Sequence, residues 1–460
     1  MESIQKPLDS QAENDRIQGT IEDFFDIFHI GSLLNRGGIR KVRGARPLAI
    51  VTALFSLPFK GVNLYWGIVR NREQGFFKDA VYDVLKRPNF NWRIVLLSLS
   101  VTVIRFFATL VDEKRETVFI LDDSTLERPR SKKVELLARV RDHCAGKFIR
   151  GFRFLSLVWS DGASTVPVDF ALLSSADPKN RYQEVTTMVD KRSCGYLRRR
   201  EAIQHATDLL EPMVKRAIRA GIQARYLLMD SWFALPVIIA KLSMYIPIIC
   251  MLKRMPNIYY EYRGQKMTLT TLYRVVKKRP GKARILASVV VTIAAGQMVK
   301  IVFVRDRRKS DWLALLSTVV NLADTDIVRI YGKRWDIEVF FKMSKQYLHL
   351  EKGVQLRTFD GLIAHSTIAM MRYLFLSYRQ RCETDDRTLG ELFRAGCNEV
   401  RDISLLEALQ RILTLVADAL LRIELASEQF IQQLIDDIMG TIVEKMNLKL
   451  PTVFNLVAVK

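Results

Sequence analysis

The sequence predicts an α/β core held between helical flanks, and three observations carry that expectation. Val118–Leu121 and Tyr226–Met229 are short apolar runs, each followed directly by aspartate, as buried strands entering a loop are. Further β-branched and aromatic runs around them alternate with stretches of helical period. Outside this middle section, apolar residues recur at helical spacing toward both ends.

Taken in order, Ile21, Phe24, Phe25 and Phe28 follow the i, i+3, i+4, i+7 rule and mark an amphipathic helix. Arg36 to Arg46 is too rich in glycine for a helix and dense in positive charge, so it reads as a loop able to track phosphates. Apolar helices follow to Val111, and the charged segment Asp112–Glu116 bounds a basic helical region, residues 1–115. The core opens with the strand ending at Asp122 and Asp123. Phe152–Trp159 and Thr165–Leu173 predict a β-hairpin turning at Asp161-Gly162. A helix from about Arg199 to Ala220 leads to the strand ending at Asp230, which closes a first core segment, 116–253. Between Arg254 and Arg308 strands and turns alternate, with Val289–Ile293 and Val299–Val304 as a pair, giving a β-rich segment, 254–310. Residues 311–352 return to the core. Helical stretches Ile363–Tyr378, Leu405–Leu425 and Ala426–Met446 form a C-terminal region, 353–460, able to close the core or pair two subunits.

Composition narrows the partner. The chain has 71 Lys+Arg against 49 Asp+Glu, a formal charge of +22, which implies a polyanion and above all nucleic acid. A hydrophobic fraction of 49% is that of a folded chain with real cores. The apolar stretches Val95–Val111 and Leu235–Leu252 are short or interrupted by Arg105, Lys241, Pro236 and Pro247, so buried elements are expected rather than membrane spans. Five scattered cysteines suggest neither a disulfide framework nor a zinc site. With polar residues after Met1, a cytoplasmic location is expected.

Tyr331-Gly-Lys-Arg334-Trp-Asp-Ile-Glu338-Val-Phe-Phe-Lys342-Met-Ser-Lys345 is the most informative stretch. At about 100° per residue on a continuous helix, Tyr331, Arg334, Glu338 and Lys345 fall within about 60° of one another. Ile337, Phe340 and Phe341 lie mostly off that stripe and can bury. A carboxylate between two cations suits a metal ligand beside phosphates. The plainer reading is a surface ion pair worth a few tenths of a kcal/mol. Ligand sites in open α/β sheets gather at the carboxyl ends of strands, so the two strand-end aspartates and a helix-borne glutamate can converge. Hard cations such as Mg²⁺ take oxygen ligands, and a pair of them promotes in-line attack on a phosphodiester. The run Lys191 to Arg200 is the densest cationic stretch, and Lys191, Arg192 and Arg198 are candidate phosphate contacts.

The order Asp123, Asp230, Glu338 and the spacing Tyr-x2-Arg-x3-Glu-x6-Lys resemble the DDE transposases of bacterial insertion sequences, best the branch called insertion-sequence family four. The resemblance runs from about Thr117 to Lys345. It implies an RNase H-like core with a β-rich insertion between the second Asp and the Glu. The strand, hairpin, helix, strand order is the one such a sheet requires. It also implies that Asp123, Asp230 and Glu338 bind two Mg²⁺ ions (Mn²⁺ may substitute), and that Tyr331, Arg334 and Lys345 contact the transposon end. Asp122 is the alternative first acid; Asp123 is preferred because Ser124 and Thr125 follow it. The implied partners are duplex DNA with terminal inverted repeats and target DNA. A homodimer on DNA and cut-and-paste chemistry through hairpin ends are implied as well. Trp312 is a candidate for stacking on a displaced base, against a plain role in the core. The rival readings are a nuclease that cuts without joining, and a DNA-binding protein that keeps the scaffold without the chemistry.

Overall fold

The computed structural model describes residues 21–382, apart from 41–43, 71–74, 111–114, 143–144, 186–187, 281–282, 294–295, 307–310 and 354, together with a few helical residues between 409 and 441. The predicted helical stretches Leu405–Leu425 and Ala426–Met446 therefore lie almost wholly outside the described residues, as does the middle of the Arg36–Arg46 loop.

The front of the chain is helical: α1 (Ile21–Ile27), α2 (Ile30–Arg36), α3 (Pro47–Ser56), α4 (Lys78–Leu85) and α5 (Trp92–Thr109). Phe24, Phe25 and Phe28 bury as their spacing predicts and pack with Phe55, Phe375 and Tyr378. α5 is long and apolar enough to cross a membrane by length and composition. Here Val95, Leu96, Leu99, Val103 and Phe107 are buried, and the Ser100 hydroxyl donates to the Pro167 carbonyl at 2.7 Å.

One mixed sheet organises the rest. β1 (Val118–Glu127) lies between β3 (Lys147–Ser160), antiparallel, and β5 (Tyr226–Met229), parallel. β3 is long enough to serve two partners along its other edge. Its first residues pair with β2 (Ala138–Asp142), and its last with β4 (Thr165–Leu173) around the predicted turn at Asp161-Gly162. β5 pairs in parallel with β6 (Ile248–Leu252), so three antiparallel strands are followed by two parallel to β1. The connection from β4 to β5 is two helices, α6 (Cys194–Ala202) and α7 (Ala206–Arg219), instead of the single expected one. α8 (Pro236–Ser243) links β5 to β6.

The strands of the 254–310 segment extend this sheet. After β7 (Tyr259–Tyr262), β8 (Gln265–Thr268) and α9 (Leu269–Val275) come β9 (Ile285–Thr292) and β10 (Met298–Arg305). β11 (Trp312–Ser317) bridges them to β6, in the order β6-β11-β10-β9-β7-β8. Trp312 is buried there, stacked on Tyr273 at 4.5 Å beneath the Arg254 guanidinium. That is the environment of a core residue, not of a ring waiting for a base.

α10 (Asp324–Gly332), α11 (Trp335–Gln346) and α12 (Phe359–Cys382) complete the described chain. α12 is buried on every side through Arg379. Its Arg372 guanidinium donates to the carbonyls of Leu54 and Phe55 at the C-terminal end of α3 and to that of Leu348, tying three segments together at one buried charge.

Candidate nuclease site where β1 and β5 part

Apolar Val118–Leu121 and Tyr226–Met229 pair in parallel, and the last register pair is Leu121 with Met229. Asp122 and Asp230 are each the next residue, so two carboxylates lie side by side where β5 ends. β1, which the sequence predicts to end at Asp122 and Asp123, instead runs on to Glu127 because β3 continues to pair with it. Desolvation disfavours the charged form of Asp122 and of Asp230. Burial, reinforced by the Asp230 charge, pushes Asp122 up to about 7, although Arg334 opposes the shift. Burial raises Asp230 too, against the Trp232 backbone N–H that it accepts at 2.8 Å.

The glutamate string supplies the countercharge. It does not form one continuous helix: α10 ends at Gly332, α11 begins at Trp335, and the turn between them tightens to i→i−3 bonds from Lys333 and Arg334. Lys333 and Arg334 nonetheless keep helical dihedrals, so Arg334 and Glu338 still share a side. The Arg334 guanidinium reaches Asp122 at 3.1 Å and also pairs with Glu338. Arg334 thus ties the middle of β1 to the helix that carries Glu338. Ile337, Phe340 and Phe341 are buried beneath it, as the pattern predicts. Tyr331 sits beside this cluster with a buried hydroxyl that has no hydrogen-bond partner, and burial raises its pKa. Lys345 lies farther along, 3.4 Å from Glu351, whose carboxylate also accepts the Glu127 backbone N–H.

Asp123, the preferred first acid, is placed differently from Asp122. Alternation turns successive strand residues to opposite faces, and Asp123 is paired with Arg153 at 2.6 Å. It remains within electrostatic reach of Asp230 but does not share Arg334 with Glu338. The structure therefore joins Asp122, Arg334 and Glu338 directly and sets Asp230 against Asp122. In the sequence the two aspartates differ only in their immediate neighbours, Ser124 and Thr125; the register of β1 against β5 is the signal that separates them.

Arg198 corrects an expectation. Its side of α6 packs inward, leaving it 6% exposed, and burial together with neighbouring Arg93 lowers its pKa to about 9. It cannot line a phosphate groove. Arg199 is buried as well, paired with Glu135 and Asp360. Lys191 and Arg192 are exposed, the latter against Asp190.

Among the described residues no three His, Cys, Asp or Glu side chains close into a metal cage. The donor set nevertheless suits a hard divalent cation. Two adjacent carboxylates that resist being charged together are what such an ion neutralises, and among the described residues the Arg334 charge opposes that repulsion at both.

Residues 67–242 match the family model described as DDE superfamily endonuclease, and residues 282–379 match that of "Archaeal putative transposase ISC1217". The chain is similar to DDE transposases. The first match takes in Asp122, Asp123 and Asp230, and the second takes in the whole Tyr331–Lys345 string. No curated protein matches the chain. Among solved structures, a piggyBac transposase synaptic complex with hairpin DNA aligns over 91% of this chain and 85% of that one, at 13% identity and a TM-score of 0.46.

Proposed function

We propose that this protein is a metal-dependent DNA transposase that cleaves transposon ends and joins them to target DNA. The observation that carries the reading is the adjacency of Asp122 and Asp230 where the parallel pairing of β1 and β5 ends, with Arg334 linking Asp122 to Glu338. The family matches supply the DDE endonuclease and transposase classes. The strand order, three antiparallel followed by two parallel to β1, supports an RNase H-like core, and the Tyr331–Lys345 string supports the insertion-sequence family four branch.

Asp122, Asp230 and Glu338 would hold the Mg²⁺ ions, with Asp122 preferred over Asp123 as the first acid. When bound, those ions supply activation of the attacking hydroxyl and stabilisation of the leaving oxygen. Arg334, held by Asp122 and Glu338, would have its planar fork released to phosphate oxygens once cations neutralise those carboxylates, and Lys345 would offer a point charge farther along the strand. The Tyr331 hydroxyl, buried beside them without a partner, would reach DNA only if the site opens. Cut-and-paste transposition through hairpin ends, and two DNA ends held by a dimer, complete the proposal.

The test is incubation with duplexes carrying the inverted repeats that flank the coding region, Mg²⁺ and a target plasmid. Cleavage at the repeat and joined products are expected. Asp122→Asn, Asp230→Asn and Glu338→Gln should each lower cleavage by about 10³-fold or more while end binding persists. Asp123→Asn should cost at most about 10- to 100-fold, as loss of a partner outside the ligand set does. Wild-type cleavage by Asp122→Asn would refute the site, and cleavage without joining would reduce the protein to a nuclease.

A further inference from the structure

The β2–β3 hairpin carries a cationic and aromatic face that the catalytic cluster does not use. Its two sides differ sharply. Ala138, Val140 and Ile149 point inward and form a small buried cluster of their own. Arg139, Arg141, Phe148 and Arg150 occupy the alternate positions, with Arg139 opposite Arg150 and Arg141 opposite Phe148. Phe148 is 52% exposed, and the Arg139 and Arg141 guanidiniums lie 4.0 and 5.7 Å from its ring centroid. Arg150 covers the ring of Tyr182, itself 45% exposed, at 4.6 Å. Lys147 adds another exposed cation at the end of the strand.

An exposed phenylalanine held by arginines in this way is not a packing device. Stacking on a ring orients a guanidinium while leaving its N–H edge free, whereas a carboxylate partner would occupy that edge. Among the described residues, neither Arg139 nor Arg141 is paired with a carboxylate. The face thus presents pre-oriented, unneutralised forks, which is what phosphate oxygens bind. The face lies along β3 from Ser156, which is opposite Asp122, with the buried Phe152 and Phe154 packed against Phe359 and Phe170 between them, so DNA would pass over this stretch rather than along it. Eight residues separate Phe148 from Ser156, roughly 26 Å of strand, or about eight base pairs of duplex.

We propose that the Arg139–Arg141–Phe148–Arg150–Tyr182 face binds the sugar–phosphate backbone of duplex DNA about eight base pairs from the reacting phosphate. The partner rests on the transposase reading, but the surface and its distance from the site do not.

The experiment measures binding of the full chain to a 40-base-pair fluorescent duplex of arbitrary sequence (about 40, to span the face and the site) across a salt series, alongside end cleavage. Arg139→Ala/Arg141→Ala should weaken binding about tenfold at moderate salt. It should also reduce the slope of log affinity against log salt by about 2, as expected when two phosphate contacts are lost. The unfolding temperature should hold, since both side chains are exposed. Arg139→Lys/Arg141→Lys should keep most of the slope because the charges remain. An unchanged slope in the alanine pair, with wild-type cleavage intact, overturns the surface and leaves the transposase reading standing. A reduced slope in a protein that never cleaves supports the surface and sinks the reading. Loss confined to phosphatidylserine vesicles, with duplex binding intact, reassigns the face to membranes and overturns the proposal.

Discussion

At Asp122 the peptide register, the local dielectric and one guanidinium act on a single carboxyl. Its neighbour Asp230 and its burial both disfavour charge, and Arg334 is the counterweight that it shares with Glu338. Such a pair is stabilised by whatever cation binds it, and a ligand that binds only the folded state raises stability by mass action, about 2.7 kcal/mol at a hundredfold excess over Kd. Mg²⁺ should therefore raise the wild-type unfolding temperature in a calorimetric scan, and Asp122→Asn or Asp230→Asn should erase that rise. A shift of the same size in both variants would show that the ion binds elsewhere. This measurement reads the ligand set without requiring turnover.

At the scale of elements, β3 matters most, because one strand serves β1 along one edge and both β2 and β4 along the other. Gly151 sits where its pairing passes from β2 to β4, opposite Glu127 of β1 and Ala138 of β2. A Cβ there would collide with the Leu126 carbonyl oxygen, which is backbone and cannot swing away. Gly151→Ala should accordingly cost about 3 kcal/mol or more in urea unfolding, against the fraction of a kcal/mol usual for a tolerated strand substitution. A loss below about 1 kcal/mol would mean that β1 and β3 part easily at this point. The α10–α11 junction is the other informative element. The tightened turn at Lys333 and Arg334 is fastened by the Arg329–Glu116 pair and by the Ser160 hydroxyl donating to Asp336 at 2.6 Å, so Arg334 is delivered to β1 from an anchored base.

Over the whole molecule, the N-terminal helices, the sheet and α12 share one continuous apolar core, and several ionisable groups are sealed into it. His365 on α12 is buried with its Nε2 2.7 Å from the His349 carbonyl oxygen. Burial and then the Arg372 charge lower both histidines, His365 to about 3 and His349 to about 4. A depressed folded-state pKa means that the unfolded chain takes up protons first, near pH 6.5. The stability tied to these groups is thus complete above about pH 6.5 and drains away as pH falls toward 4, at up to about 1.4 kcal/mol per unit for each. Urea midpoints measured from pH 7 to 4.5 should fall for wild type and fall less for His365→Gln, whose amide can still donate to the same carbonyl. Parallel slopes for the two proteins would show that His365 does not drive the acid sensitivity.

The range of the forces involved decides how much was legible in the chain. Asp230 at the end of β5, the β3–β4 hairpin and the buried side of the Tyr331–Lys345 string depend on local pattern and period, so residues within a few positions of one another sufficed to find them, whereas the run of β1 past Asp122 and Asp123 depends on its pairing with β3. The basic charge likewise needs only a count. Partners distant in sequence set the features that lay beyond reach. Strand pairing against β5 puts Asp122 rather than Asp123 beside Arg334 and Glu338, and tertiary packing turns Arg198 inward within a run that reads as uniformly exposed charge. In the same way, the pairing of β2 with β3 sets Arg139 and Arg141 around Phe148. Sequence alone determined which acids, cations and apolar faces the chain carries; tertiary structure decided which side chains meet, because a one-residue change of strand register exchanges one face of a sheet for the other.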